Sequence, residues 1–311
     1  MKLARTLHLL ILLTLLGSCN VFKIADNHTK GKLKRGGLEH TLLETDNYTF
    51  SYWDTKEIDK PVYMLFHGFG SPANFQWYQQ AKALSKTHRL ILPNLLYFGS
   101  KPKGTEKYSI QEQVNAMSEL LNALEIDSMV LGGISYGGLV AAELAMLEKE
   151  KIRKLTIFSS PVKFFNDGDL AAVESNAGVD DISELLVPAD VDMMRQMFDV
   201  VLYKDRNIPK FILRDMQENL FGDETQSKRL KALLNEIQSG KEYFINRDYQ
   251  FDFPVLLIWG ADDELIPARI GTELKAYIPT STLHLIPKAG HGPNVEQKKV
   301  FNEILLEFLR E

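Results

Sequence analysis

Seven residues carry the strongest chemical signal in the sequence: Gly132-Gly133-Ile134-Ser135-Tyr136-Gly137-Gly138. The apolar run Met129-Val130-Leu131 leads into them, and Leu139-Val140-Ala141-Ala142-Glu143-Leu144-Ala145 leads out. This reads as strand, tight turn and helix, with a serine at the tip. Glycines around the serine let strand and helix approach closely and accommodate a strained turn. Such a turn would lift the hydroxyl out at the strand's carboxyl end and aim the next backbone N–H groups at whatever reacts there.

A serine hydroxyl is a poor nucleophile at neutral pH; it needs a base, and the base needs an orienting acid. Seven histidines are available. His8 and His28 lie in the N-terminal stretch, and His40 precedes the first expected strand. His88 and His284 fall at strand segments, and His67 sits in a His-Gly turn. His291, in Lys288-Ala289-Gly290-His291-Gly292-Pro293, is the best base, because a glycine on each side leaves its imidazole free to project. The acid belongs after another strand, in Trp259-Gly260-Ala261-Asp262-Asp263-Glu264-Leu265-Ile266-Pro267. Three acidic residues compete there; the spacing W-G-x-x-D-x-x-x-P selects Asp263, with Asp262 as the alternative.

These groups need elements to hold them. Val62-Tyr63-Met64-Leu65-Phe66, Arg89-Leu90-Ile91-Leu92, Lys154-Leu155-Thr156-Ile157-Phe158, Val255-Leu256-Leu257-Ile258-Trp259 and Thr282-Leu283-His284-Leu285-Ile286 read as strands, and 48–53 as an earlier one. Helical spacing appears over 108–124 and 297–309. Strands alternating with helices imply a mostly parallel α/β sheet with right-handed crossovers. Between about 161 and 253 the strand rhythm gives way to amphipathic helices. Met193, Met194, Met197, Phe198 and Val201 share one face, and Ile208, Ile212, Met216 and Leu220 another, with Pro209 suited to a first helical turn. Most of these residues are expected to form the insertion's own core, and a minority to line an acyl-binding groove.

A chain of 311 residues suits one large α/β domain with an insertion. Its 45% hydrophobic and 25% charged content is that of a soluble globular protein, and a net charge of −5 argues against a nucleic-acid partner. No P-loop ending and no metal-ligand spacing is present, so no cofactor is called for. The chain opens with the cationic Met1-Lys2-Leu3-Ala4-Arg5 and an apolar run over 7–16, too short to span a bilayer and suited to a secretory signal. Leu16-Gly17-Ser18-Cys19 follows and resembles a bacterial lipobox, with the chain's single cysteine at the position that would be lipidated. The polar stretch from Asn20 to about Asn47, with Lys30, Lys32, Lys34 and Arg35, reads as a solvated tether.

Three motifs in the order Ser, Asp, His (G-I-S-Y-G-G, W-G-A-D-D-E-L-I-P and G-H-G) give the chain from Tyr48 onward a resemblance to the α/β-hydrolases. The resemblance implies a mostly parallel, eight-stranded type of sheet with a helical cap inserted after the sixth strand. It implies that Ser135 attacks a carbonyl, that His291 moves the proton and that Asp263 orients the imidazolium. It further implies an oxyanion hole from the backbone N–H groups of Phe69 and Tyr136, with His67 a structural member of the loop. The segments from Leu186 to Asp190 and Arg214 to Gln217 resemble the cap of monoacylglycerol-lipase-like members. Asn94-Leu95-Leu96-Tyr97-Phe98-Gly99-Ser100 departs from the family's usual Asp-Leu-Pro-Gly run, and Ile134 stands where a polar residue is common. The expected organisation is a signal peptide over 1–18, a lipidated N-terminus and tether over 19–47, a hydrolase core over 48–160 and 254–311, and a cap over 161–253. The expected activity is hydrolysis of acylglycerol-like carboxylic esters by a protein anchored in the bacterial envelope through Cys19. The alternatives are a carbon–carbon bond hydrolase of ring-cleavage products and a non-catalytic hydrolase-fold lipoprotein.

Overall fold

The computed structural model describes residues 20–204 and 207–310. Cys19 and the expected signal peptide lie outside the described residues. Nine strands form one sheet: β1 (Glu39–Glu44), β2 (Tyr48–Asp54), β3 (Val62–Phe66), β4 (Arg89–Pro93), β5 (Lys101–Pro102), β6 (Met129–Ile134), β7 (Ile152–Phe158), β8 (Val255–Gly260) and β9 (Ser281–Ile286). Their order is β1-β2-β4-β3-β6-β7-β8-β9, with β5 paired to β2. Pairs involving β1, β2 and β5 with their neighbours are antiparallel, and the rest are parallel. Without the two-residue β5 the sheet is eight-stranded, and the helical insertion follows its sixth strand.

The parallel strands are apolar runs because both sheet faces are covered. One core face holds α4 (Ile110–Ala123) and α5 (Tyr136–Leu147); the other holds α2 (Ala73–Trp77), α3 (Ala81–Leu84) and the last helix, α14 (Lys298–Arg310). Helix α12 (Ala268–Tyr277) joins β8 to β9, and the short α13 (Pro293–Glu296) precedes α14. Register sets the site. Phe66 pairs with Gly133, Ile134 with Phe158, Phe158 with Ile258, and Gly260 with Ile286. The carboxyl ends of these strands are therefore level, and the loops that follow them emerge along one edge of the sheet.

The insertion between β7 and β8 is helical, as α6 (Asp167–Ala177), α7 (Ile182–Leu186), α8 (Val191–Val201), α9 (Lys210–Phe221), α10 (Glu224–Ser239) and α11 (Lys241–Asn246). Asp190 caps α8 by accepting from the Asp192 and Met193 amides, and Pro209 stands at the N-cap of α9. The cap returns to the core through buried Glu143 of α5, which accepts from the Tyr249 hydroxyl at 2.5 Å and the Tyr243 hydroxyl at 3.3 Å.

The tether expected over 19–47 is corrected by the structure: its described part is mostly ordered helix and strand. Helix α1 (Val21–Arg35) starts at Asn20, whose side chain accepts from the Lys23 amide at 2.6 Å. Thr29 and Leu33 are buried, Leu33 within the core on the sheet face that also holds α2 and α3. Asn74 Nδ2 donates to Thr29 Oγ1 at 2.8 Å and to Asp26 Oδ1 at 3.0 Å. Strand β1 then extends the sheet. Helix α1 is polar over most of its surface and buries two residues one turn apart, which leaves almost no periodic signal in the sequence.

Candidate active site

Ser135 lies between β6 and α5 with φ 55° and ψ −126°, a conformation that L-residues rarely adopt. Its N–H continues the sheet by donating to Phe158 O at 2.8 Å, and its carbonyl accepts from Ser160 Oγ at 2.7 Å. The surrounding glycines are required by space. A Cβ at Gly133 would meet Gly137 O at 2.2 Å, and one at Gly137 would meet His67 O at 2.3 Å. Tyr136 opens α5, so its N–H is one of the first-turn donors that no intrahelical carbonyl can satisfy. Phe69 lies just beyond β3 on the same edge, and its ring meets that of Tyr136 at 6.0 Å, edge to face. The buried Tyr136 hydroxyl has no hydrogen-bond partner among the described residues, and burial keeps it protonated by pushing its pKa well up.

Of the two neighbouring aspartates, Asp263 is the one that meets His291. Its carboxylate lies 3.0 Å and 3.3 Å from His291 Nδ1 and accepts the amides of Leu265 (3.0 Å) and Ile266 (2.9 Å). Asp262 does something else: its Oδ2 accepts the Lys288 amide at 3.0 Å, fastening the β8 loop to the loop that carries His291. These loops touch backbone to backbone, since a Cβ at Gly260 would meet Gly290 O at 2.0 Å. With Nδ1–H given to Asp263, the neutral imidazole keeps the Nε2 lone pair as an acceptor.

His291 is also held by the cap. Its N–H donates to Val201 O at 2.8 Å, and a Cβ on Gly290 would meet the same oxygen at 2.7 Å. Gly290 thus permits a close approach of the cap, rather than giving the imidazole freedom. Glu296, which the sequence did not mark, accepts the Gly290 amide at 2.7 Å and the Tyr203 amide at 3.1 Å, bridging the histidine loop to the cap. Its only sequence signal is an acidic residue in the short helix after the G-H-G turn.

His67 is structural. Fully buried, its Nδ1 lies 2.7 Å from Gly68 O and its Nε2 accepts the Leu95 amide at 3.0 Å. Burial lowers its pKa to about 4, so it is neutral. The 94–100 loop is tied down by Asn94, which accepts from the Ala73 amide and donates to Ser51 Oγ. Phe98 from this loop sets its ring against Phe69 at 5.3 Å and His67 at 5.2 Å.

Two apolar recesses meet at Ser135, and Phe69, Leu186 and Leu265 wall both. One runs beneath the cap past Leu139, Phe165, Leu170, Ile182 and Leu234. The other contains His291 and is walled by Met194, Met197, Phe198, Val201, Met216 and Leu220. Six of the nine residues expected on the two amphipathic faces therefore line the site, not the minority anticipated. Phe22 of α1 lines the same recess and was not foreseen. The structure thus brings Ser135 and His291 to one cavity and pairs His291 with Asp263. Among the described residues no hydrogen bond joins Ser135 to the His291 ring. In such sites that contact often tightens only with substrate bound.

Comparison with known proteins agrees with this architecture. Lipase 1 of Psychrobacter immobilis is 29% identical over 243 residues, covering 75% of this chain and 72% of that protein. The 2-hydroxy-6-oxo-2,4-heptadienoate hydrolase of Pseudomonas putida is 25% identical over 259 residues, covering 79% of this chain and 88% of that one. Among solved structures, a membrane phospholipase A superposes with a TM-score of 0.78 at 19% identity, covering 100% of this chain and 98% of that one. The family model for the alpha/beta hydrolase fold matches residues 61–297, and with strand order, elbow and loops in agreement, this chain belongs to that family.

Proposed function

We propose that this protein hydrolyses carboxylic esters of acylglycerol-like or other lipid-like character through an acyl-enzyme. In this reading Ser135 Oγ attacks the ester carbonyl carbon while His291 Nε2 takes its proton. The tetrahedral oxyanion is received by the N–H groups of Phe69 and Tyr136; one such donor typically lowers the barrier by on the order of 3 kcal/mol. Collapse breaks the C–O bond, and the leaving alcohol departs with the proton returned by the His291 imidazolium, which Asp263 stabilises. Water then repeats the sequence on the acyl-serine and releases the acid. The observation that carries the reading is the Asp263–His291 pair beside a strained serine in an apolar cavity.

A carbon–carbon bond hydrolase is the second reading, favoured by relatives with such names. The walls around Ser135 are mostly apolar and fit an acyl chain; Lys241, the cation among the residues lining them, is paired with Asp167 instead of standing ready for a dienoate's carboxylate. We further propose that the protein is exported and held at a membrane by acyl chains on Cys19. A p-nitrophenyl ester series is expected to show turnover, and a fluorophosphonate to label Ser135 and to leave Ser135→Ala unlabelled. No turnover at any chain length together with no labelling would sink the esterase reading. Mass spectrometry of the purified protein is expected to find acyl chains on Cys19 and none in Cys19→Ser; an unacylated Cys19 would refute lipidation.

A further inference from the structure

Helix α1 does more than extend the fold. It packs against α2 and α3 of the core and against cap helix α9. The Phe22 ring stacks on Phe75 at 5.2 Å, and its N–H donates to the Asp215 carboxylate of α9. Phe22 also lines the recess that holds Ser135 and His291. The start of α1 therefore stands at the edge of the catalytic cavity. Two large apolar side chains nearby face solvent, Ile24 at 59% exposure and Phe211 at 61%. Phe211 precedes Asp215 by four residues on α9, one turn from the side chain that bonds α1. Lys23, next to Ile24, and Arg214, one turn from Phe211, are exposed, as is Glu218. Helix α1 carries five basic residues and a single acidic one, a formal +4 in a chain of −5.

We propose that the first turns of α1 and α9 form the face by which the protein lies on an anionic lipid bilayer, so that the Ser135 cavity opens onto lipid and draws its esters from that bilayer. Apolar side chains beside the exposed cations Lys23 and Arg214, on a helix of opposite sign to the chain, are the chemistry that such a surface recognises. The choice of substrate rests on the ester-hydrolase reading; the choice of surface does not.

The three native tryptophans, Trp53, Trp77 and Trp259, are buried, so an added surface tryptophan reports on its own surroundings. In the full chain, Phe211→Trp is expected to lose about half its added emission on vesicles of brominated phosphatidylcholine and phosphatidylglycerol. Ile58→Trp, 80% exposed before β3 and so at the opposite end of the parallel strands, is expected to be unaffected. Equal quenching at both positions, none at Phe211→Trp, or an emission already blue-shifted without lipid (the face covered by residues 1–19 or by a second copy) would each overturn the proposal. The Ile24→Glu/Phe211→Glu double variant is expected to turn over vesicle-borne monoacylglycerol about tenfold more slowly, with p-nitrophenyl butyrate unchanged. An equal fall on both substrates would also overturn it. No butyrate turnover by the unaltered protein would count against the hydrolase reading alone, since the quenching experiment judges the surface independently.

Discussion

The floor and the wall of the cavity are built on different principles. The floor consists of loops following β3, β6, β8 and β9, held by backbone meeting backbone: Gly133 against Gly137, Gly137 against His67, Gly260 against Gly290. No side chain fits at those contacts, so Ser135 and His291 are positioned by main-chain geometry, with the carboxylates of Asp262, Asp263 and Glu296 fastening the loops. The wall consists of side chains from α7, α8, α9, α10 and α1, many of them Met, Leu or Phe in van der Waals contact with an apolar recess. Methionine and leucine can repack at small cost. The floor is therefore where chemistry is specified and the wall is where substrate is.

That contrast can be broken in four places, the largest effect first. Asp263→Asn is expected to lower kcat on a p-nitrophenyl ester by about four orders of magnitude, since it disturbs the His291 tautomer. Asp262→Asn is expected to lower it less than about tenfold; the reverse ranking would overturn the assignment of the acid. Gly260→Ala forces a methyl into the Gly290 carbonyl and should cost at least ~3 kcal/mol of stability, read as a fall in Tm of about 6–12 °C. An unchanged Tm would mean that the two loops are not in contact.

His67 supplies a pH-dependent test of the floor. Its folded pKa, about 4, lies below that of an unfolded histidine, so the unfolded state binds more protons between those values. Its contribution is fully present above about pH 6.5 and is lost as pH falls toward 4, on the order of 3 kcal/mol in all. Urea midpoints measured across this window should fall for the parent and fall less steeply for His67→Ala. On the wall, Met197→Ala is expected to cost about 1 kcal/mol of stability or less, because Met197 is only partly buried. It should shift the preferred ester length instead, with rate ratios between neighbouring chain lengths changing by about tenfold. A large loss of kcat with no change in chain preference would erase the distinction between wall and floor.

The floor was legible in the sequence because steric need writes itself as glycine and as fixed spacing. Gly133, Ser135, Gly137, Asp263 and His291 could each be picked out from neighbouring residues alone, and the structure puts the residues chosen as acid and base 3.0 Å apart. The strands were legible because burial on both faces leaves unbroken apolar runs. Helix α1 was not, since its fixing contacts reach from Thr29 and Asp26 to Asn74, far along the chain, and Gly31 interrupts a mostly polar helix. Glu296 escaped for a similar reason: its partners are the amides of Gly290 and Tyr203, and a pair of amides leaves no trace in residue types. The wall was half legible: the amphipathic faces of α8 and α9 were visible, but periodicity does not say whether an apolar face meets protein or an empty recess.

The end of α8 cannot move without carrying His291 with it. Val201 O holds the His291 amide, Gly290 lies against Val201 and Tyr203, and Glu296 ties Tyr203 to the same loop. That corner is the fixed jamb of any doorway in the cap. Among the described residues helix α9 has no such bond to the loops carrying Ser135, Asp263 and His291; its bond across the cavity's edge runs from Asp215 to Phe22 of α1. The α1–α9 side of the cavity is therefore walled by packing and one hydrogen bond of its own, separate from the ties that hold the serine, histidine and aspartate loops in register.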